Sequence, residues 1–199
     1  MCKPTWRWIE LVLLSLTLVA CASAPPAGVD EPQSKVRPAA EPAVMMAHRL
    51  ALSDLQAGRL AEAERGFLQL TQQHPLHRGP WLNLGIALTR LGKTEEAEHL
   101  FQQVVNRFPD FAEAHHELAL LQRSSGRFAE ARQSYAAAIA ARPDFALAYR
   151  NLGLLCDLYL HDTSCALSNY QKFQQLILVN DKEVEQWIAD LQRRVAAQQ

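Results

Sequence analysis

The chain has 199 residues, of which 20 are basic and 21 are acidic, so its formal net charge is −1. This balance gives no electrostatic footprint for binding nucleic acid. The length suits one domain with a leader, and beyond Gln33 no apolar run is long enough to cross a bilayer. A nucleic-acid-binding protein and a multi-span membrane protein are therefore excluded as starting hypotheses.

Residues 1–20 carry the pattern of an export signal. Lys3 and Arg7 give a positive start, and Leu11 to Ala20 form a short apolar run. That length suits a signal peptide better than a membrane-spanning helix. Glu10, directly before the run, is less typical of such a signal.

The apolar run ends with Leu18-Val19-Ala20-Cys21. This resembles the bacterial lipoprotein box, in which an apolar and a small residue precede the modified cysteine. The resemblance implies diacylglycerol on Cys21, cleavage after Ala20 and acylation of the new N-terminus, and three acyl chains exceed the two signals that stable anchoring requires. Ala22, rather than aspartate, follows the cysteine, which by the same resemblance implies sorting to the outer membrane. The alternatives are an uncleaved signal anchor, or an ordinary signal peptide with an incidental cysteine.

Residues 21–43 are predicted to be the lipidated cysteine and a tether. The stretch from Ala22 to Pro42 is rich in alanine and proline and lacks the periodicity of a core-facing helix. It is typical of an extended spacer, and at full extension it would reach roughly 60 to 70 Å. Such a spacer could let a domain meet a partner away from a membrane, or could merely separate the domain from the lipid.

A period of 34 residues organises the rest of the chain. Its clearest copy is Arg78–Phe111, which contains Trp81-x2-Leu84-Gly85-x2-Leu88, then Ala97-x3-Phe101 and Pro109. The same skeleton recurs one period upstream and one period downstream. The recurring residues are small (Ala51, Ala63, Ala97, Ala119, Ala131), aromatic (Phe67, Phe101, Tyr135), glycine (Gly58, Gly92, Gly126) and proline (Pro75, Pro109, Pro143). This pattern resembles the tetratricopeptide repeat.

The resemblance implies an all-α solenoid of helical hairpins. Small residues at positions 8 and 20 let the two helices of a hairpin approach, and the large residue at position 24 fills the space between hairpins. Glycine ends the first helix in a left-handed conformation, and proline ends the second. A single hairpin leaves an apolar face exposed, and stacking covers it. About four repeats are expected, at Val44–His77, Arg78–Phe111, Ala112–Phe145 and Ala146–Val179.

The fourth repeat departs from the pattern. Tyr149-x2-Leu152-Gly153 indicates a good first helix, but the second helix is displaced by one residue, to Ala166-x3-Tyr170-x2-Phe173. The turn glycine is absent, and Leu160 to Thr163 takes its place. We expect Asp162 or Thr163 to cap the following helix.

Residues 180–199 are predicted to form a C-terminal capping helix. Asn180 and Asp181 are typical helix-start residues, and the apolar residues that follow recur at helical spacing. They are Val184, Trp187, Ile188, Leu191 and Val195. A solenoid needs such a helix to cover its last face. The alternative is a partner-binding or membrane-surface helix, although its mixed charges disfavour a membrane surface.

Cys156 and Cys165 lie on the two helices of one predicted hairpin. An exported chain meets an oxidising periplasm, and a bridge would close a loop of about ten residues. A disulfide requires α carbons within about 7 Å. The alternatives are two free buried thiols, or a redox-active pair, which the lack of a C-x-x-C arrangement disfavours.

By the family resemblance, the first helices line a concave face, on which positions 2, 5, 9, 12 and 13 point outward. Position 9 is apolar in all four copies, which favours a groove for an amphipathic or extended peptide. Basic residues around it favour a partner with acidic groups or a free carboxylate. The alternative is that these residues only pack against neighbouring helices. The predicted groove consists of His48, Leu52, Ile86, Arg90, His116, Leu120, Arg123, Arg150 and Leu154, with Glu113 and Asp157 as acidic neighbours.

Motifs for catalysis are absent from the sequence. The histidine clusters His74-x2-His77 and His115-His116 lack the thiolates or carboxylates that would complete a zinc pattern. There is no glycine-rich phosphate loop and no Gly-x-Ser-x-Gly. No enzymatic activity, cofactor or metal is therefore expected.

Together these features predict a non-enzymatic adaptor for protein–protein interaction, lipid-anchored to the bacterial outer membrane and facing the periplasm. Its layout is similar to that of the pilotin lipoproteins of type IV pilus assembly, which carry such repeats behind a lipidated cysteine. That resemblance implies a role in secretin assembly. One alternative is an adaptor for peptidoglycan hydrolases or outer-membrane protein assembly. Another, from a different class, is a thiol-redox factor built on Cys156 and Cys165.

Overall fold

The computed structural model describes residues 42–197, and within them the chain forms nine α-helices and no strands. Consecutive helices pair as the hairpins α1/α2, α3/α4, α5/α6 and α7/α8, each hairpin packs on the next, and α9 packs on α8. The predicted all-α hairpin solenoid with a C-terminal capping helix is thereby confirmed. The helices are α1 (Pro42–Gln56), α2 (Leu60–Gln73), α3 (Arg78–Arg90), α4 (Thr94–Arg107), α5 (Ala112–Ser124), α6 (Phe128–Ala141), α7 (Ala146–Leu158), α8 (Thr163–Leu176) and α9 (Lys182–Ala196).

Helices α3, α5 and α7 begin at the residues where the predicted repeats begin. Helix α1 differs, because it begins at Pro42, so Pro42 and Ala43 belong to a helix rather than to the predicted tether. Proline is tolerated in the first turn of a helix, where its missing N–H has no intrahelical acceptor. The predicted signal peptide, the lipidation site Cys21 and the rest of the tether lie outside the described residues.

The turns inside the hairpins follow the glycine pattern. Gly58, Gly92 and Gly126 have φ of 75°, 77° and 74°, in the left-handed region that favours glycine. In the fourth hairpin His161 adopts φ of 51° instead. The side chain of Asp162 then accepts a hydrogen bond from the backbone N–H of Cys165 at 3.0 Å, so Asp162 is the predicted cap of α8.

The same type of polar contact recurs at each corner between two hairpins. Trp81 Nε1 donates to the carbonyl of Pro75 at 3.0 Å, and the hydroxyl of Tyr149 donates to the carbonyl of Pro143 at 3.2 Å. His115 Nε2 lies 3.0 Å from the corresponding carbonyl of Pro109. Three different side chains at position 4 therefore fix the same corner.

The aromatic residue at position 24 is the centre of each hairpin. Phe67, Phe101 and Tyr135 are fully buried, as predicted, and burial of such a ring stabilises the fold by about 2 to 3 kcal/mol. Burial also raises the pKa of Tyr135 to about 12, and its hydroxyl has no hydrogen-bond partner in the described part of the chain. Because phenylalanine fills the same place in the first two repeats, the packing requires the ring rather than the hydroxyl.

Helix α9 covers the last hairpin. Asp181 accepts hydrogen bonds from the backbone N–H groups of Glu183 and Val184, which caps the helix. Val184 and Leu191 are fully buried. The ring of Trp187 lies 5.2 Å from that of Tyr170, which takes the place of the position-24 ring in the displaced second helix of the fourth repeat.

The close approach of α3 and α4 depends on Gly85. A β-carbon on Gly85 would lie 2.3 Å from the ring of Phe101. We expect Gly85→Ala to lower the free energy of unfolding by roughly 2 kcal/mol, because the buried ring must shift. Urea unfolding followed by circular dichroism measures this change.

Gly79→Ala, in the same helix, is the matched control. A β-carbon there would meet only His48, at 3.5 Å, which is ordinary contact, so this variant should be neutral or slightly stabilised. Equal unfolding free energies for the two variants would contradict the packing argument.

Candidate functional site

The concave face is built from side chains that join one first helix to the next. The amide nitrogen of Asn83 lies 3.4 Å from His48 Nε2, and that of Asn151 lies 2.7 Å from His116 Nε2. Both pairs join position 5 of one repeat to position 6 of the following repeat. The sequence analysis missed both asparagines, although each occurs 35 residues after a histidine of the predicted groove.

Between α7 and α9, a cation–π contact and an ion pair take the place of this hydrogen bond. The guanidinium of Arg150 lies 5.4 Å from the ring centre of Trp187 and 3.5 Å from the carboxylate of Glu183. Trp187 thus takes the place in α9 that Asn151 takes in α7. Arg150 was predicted to face a partner, but the capping helix engages it instead.

The two histidines of the predicted groove differ in access. His116 is only 6% exposed, because Asn151 and the rings of Tyr135 and Phe145 surround it. It belongs to the floor of the concave face and is not open to a partner as expected. His48 is half-buried, and its burial, with a smaller contribution from the charge of His77, lowers the pKa of His48. Its imidazole is therefore mainly neutral at pH 7.

The apolar residues at position 9 form the middle of the concave face. They pack against the core with one side, yet all remain partly exposed on the other. Both interpretations of the stripe therefore hold in part: these side chains support the core and also present apolar surface. The stripe consists of Leu52, Ile86, Leu120 and Leu154. If α9 is numbered like a first helix, Trp187 is at position 6 and Asp190 is at position 9. A charged residue therefore follows the four apolar residues of the stripe.

Arginines outside the predicted groove form ion pairs with its two acidic neighbours. Glu113 pairs with Arg142 at 2.5 Å, and Asp157 pairs with Arg194 at 2.9 Å. Both predicted acidic neighbours of the groove are thereby neutralised.

Two arginines of the predicted groove remain outside these ion pairs. Nη1 of Arg90 donates a hydrogen bond to the carbonyl of Leu55 at 3.2 Å, near the end of α1. Arg123 is half-buried on α5. Between residues 42 and 197 neither guanidinium forms an ion pair, so a positive potential remains beside Ile86 and Leu120.

A largely apolar cavity of about 320 Å³ opens between α1 and the start of α3, at the first end of the concave face. Its lining includes Val44, Met45 and Pro80, together with His48 and His77. The rings of His77 and His74 stack with centres 5.5 Å apart. In the described part of the chain no three potential ligands gather closely enough to hold a metal ion.

Cys156 and Cys165 are joined in a disulfide that connects α7 to α8, with α carbons 5.8 Å apart. This separation lies inside the limit of about 7 Å. Cys156 is fully buried and Cys165 is partly exposed, so an incoming thiolate could reach the bridge only from the Cys165 side. The position of the bridge next to the irregular turn fits a structural cross-link.

No helix between residues 42 and 197 has both the length and the apolar character needed to span a bilayer.

A family model for the tetratricopeptide repeat matches residues 48–110, 82–144 and 116–157, which together cover more than half of the chain. No curated protein sequence matches the chain. Similar solved structures include a form of MamA from Desulfovibrio magneticus RS-1, with 22% identity, a TM-score of 0.64, and coverage of 79% of this chain and 88% of that chain. TTC0263, a tetratricopeptide repeat protein of Thermus thermophilus, has 18% identity, a TM-score of 0.60, and coverage of 76% and 82%. At these identities the likeness concerns the fold alone.

The disulfide generates a stability prediction. In the chain-entropy model, closing a loop of about ten residues contributes about 2.7 kcal/mol. We expect the double variant Cys156→Ala with Cys165→Ala to lose about that much unfolding free energy, as measured by urea denaturation in oxidising buffer. Reduction should lower the unfolding midpoint of the wild-type chain but not that of the variant. An unchanged wild-type midpoint after complete reduction would contradict a stabilising bridge.

Proposed function

Since the chain belongs to the tetratricopeptide repeat family, we propose that it is a non-enzymatic adaptor that holds a protein segment on its concave face. The observation that carries this proposal is the partly exposed apolar stripe, which recurs at the same position of four successive first helices. The core uses one side of these residues, and their other side leaves apolar surface at the same place in every repeat. An apolar stripe in a groove suits an amphipathic helix or an extended peptide.

Charge beside the stripe favours a partner that carries acidic residues. Arg90 and Arg123 flank Ile86 and Leu120 without a carboxylate of their own among residues 42–197. Complementary charge raises the rate of association and fixes the register of a bound segment. The occupant would therefore combine spaced apolar anchors with one or more carboxylates.

The proposed location is the bacterial outer membrane, on its periplasmic side, with the lipid on Cys21. The Leu18-Val19-Ala20-Cys21 sequence supports it. The disulfide adds an independent argument, because such bridges persist in oxidising compartments and are rare in the cytosol. A redox function finds no comparable support, because Cys156 and Cys165 are not in a C-x-x-C arrangement.

Within the envelope, we favour assistance to secretin assembly in a type IV pilus system, on the similarity of layout to pilotin lipoproteins. Deletion of the gene should then leave the secretin unassembled in the outer membrane. Normal assembly of secretin multimers in the deletion strain would remove this assignment. The alternative partners are peptidoglycan hydrolases or the outer-membrane protein assembly machinery, and a crosslinked pull-down from solubilised envelope would distinguish them by the protein captured.

The groove itself is tested by two substitutions on the stripe. We expect Ile86→Asp with Leu120→Asp to abolish capture of the partner that wild-type protein crosslinks in native envelope, because two carboxylates disrupt the apolar contact and oppose an acidic ligand. Quantitative mass spectrometry of the crosslinked pull-down measures the capture. Retained capture by this variant would exclude the stripe as the binding surface.

The matched control is Leu68→Asp with Leu76→Asp, which adds the same charges at exposed leucines on α2 and on the following loop. This control should capture the partner as wild type does. Circular dichroism must show equal helicity for both double variants. If the stripe variant loses helicity, Ile86→Ala with Leu120→Ala provides the same comparison without buried charge, and it should weaken capture.

A further inference from the structure

The first hairpin exposes leucine at a position that every later hairpin buries. Leu50 is 64% exposed, whereas its equivalents Leu84, Leu118 and Leu152 are 4%, 3% and 7% exposed. The difference arises because each later leucine is covered by the preceding hairpin. The described residues contain no hairpin before α1.

Methionine repeats this contrast one turn earlier in the helix. Met46 is 73% exposed, while its equivalents Ala114 and Ala148 are fully buried. Met46 and Leu50 are four residues apart, so they stand on one side of α1. We call the surface formed by Met46, Ala47, Leu50 and the adjoining part of α2 around Gly66 the first face.

The C-terminal half of the same side of α1 carries polar residues. Ser53 and Asp54 stand where the second repeat has the buried residues Ala87 and Leu88. Asp54 pairs with Arg59 at 2.6 Å. Polar residues thus replace apolar ones in the C-terminal half of this side, but not at Met46 and Leu50. The exposed apolar residues are therefore more than the result of α1 being the first helix of the solenoid. An exposed apolar surface of this kind marks an interaction site.

A cavity of about 170 Å³ lies beside Leu50, between α1 and α2. Its apolar lining includes Ala51, Gly66 and Leu70, and a β-carbon on Gly66 would lie 2.9 Å from that of Ala51. Its polar lining consists of Asp54, Glu62, Gln69 and Gln73. Its volume is comparable with that of one large aliphatic side chain. The first face therefore carries both projecting apolar side chains and a hole next to them.

We propose that the first face binds the first face of a second copy of this chain. A two-fold interface is formed by one surface with itself, so that surface must supply both the projection and the hole. When two α1 helices run antiparallel and cross between Met46 and Leu50, Met46 of one copy lies opposite Leu50 of the other. The flexible methionine side chain is well suited to fill the cavity, and Ala47 lets the helices approach.

Charges at the edge of the first face permit this pairing. Glu62 and Arg65 are exposed on α2 and form an ion pair at 3.3 Å. Each copy thus brings both signs, so a two-fold arrangement places no uniform like charge across the interface. A membrane surface fits less well, because membrane-bound helices carry a face rich in lysine and arginine, and Arg49 is the only basic residue of α1 apart from His48.

The upstream sequence of the same chain is a weaker occupant. In the later repeats a continuous helix covers the equivalent leucine, whereas the sequence directly before α1 contains prolines at positions 32 and 38, a composition that disfavours a helix. The pairing leaves the concave face free, since the first face is at one end of the solenoid. Two copies would then offer two grooves to a partner, which raises avidity without any new contact.

Sedimentation equilibrium of the full chain tests this proposal, in detergent whose density is matched by the solvent so that only protein mass is measured. We expect a dimer that dissociates reversibly on dilution over about 1 to 100 µM. Leu50→Lys should raise the dissociation constant of the dimer at least about tenfold, and Met46→Lys should act in the same direction. Leu76→Lys, at a leucine that is 75% exposed on a loop, is the matched control and should leave the dimer unchanged.

A wild-type chain that stays monomeric throughout this range overturns the proposal, whichever surface then covers Leu50. A dimer that Leu50→Lys and Met46→Lys both leave unchanged also overturns it. Since both residues are exposed, neither substitution should unfold the chain, and far-ultraviolet circular dichroism checks this. The measurement is independent of the proposed groove, because none of the substituted residues belongs to it.

Discussion

The contact between a position-24 ring and a position-8 residue with little or no side chain determines the geometry of this protein. Phe101 on Gly85, and Tyr170 on Gly153, leave no space for a β-carbon. The ring sets the distance between the two helices of a hairpin and therefore the place where the next hairpin can pack. Position 9 follows the small residue directly, so its side chain is held half in the core and half on the concave face. The half-buried placement of the stripe residues is thus a consequence of the same packing that stabilises the fold.

Ion pairs across the hairpin junctions add a second constraint that follows the repeat. Glu64 pairs with Lys93 at 2.6 Å, and Glu98 pairs with Arg127 one repeat later. In the next junction the signs are reversed, since Arg132 pairs with Asp162 at 3.4 Å. Asp162 also caps α8, so one carboxylate ties the irregular turn both to its own helix and to the preceding hairpin. The disulfide lies beside the same turn, and these three ties offset the loss of the turn glycine.

The sequence predicts most of the fold because each repeat contacts only its neighbours, so a pattern along the chain translates directly into packing. The concave face is less predictable, because its side chains meet partners from the following repeat. His116 is buried by Phe145 and Asn151, and position 5 alone gives no sign of this. The asparagine 35 residues after each such histidine was the available signal. The contact between Arg150 and α9 was harder still to predict from the sequence, because the loop before α9 displaces that helix from the 34-residue period.

The two ends of the solenoid differ in the residues that they expose to solvent. This difference also distinguishes the apolar stripe from the first face. At the C-terminal end, α9 turns Glu185, Gln192 and Arg193 outward and buries Val184 and Leu191. At the other end, α1 exposes Met46 and Leu50. The stripe at position 9 is partly supported by the core, so a single bound segment is enough to cover it. Leu50 lacks the cover that a whole hairpin gives its equivalents, and a comparable helical surface is needed to replace that cover. The concave face therefore suits a peptide, and the first face suits a folded partner.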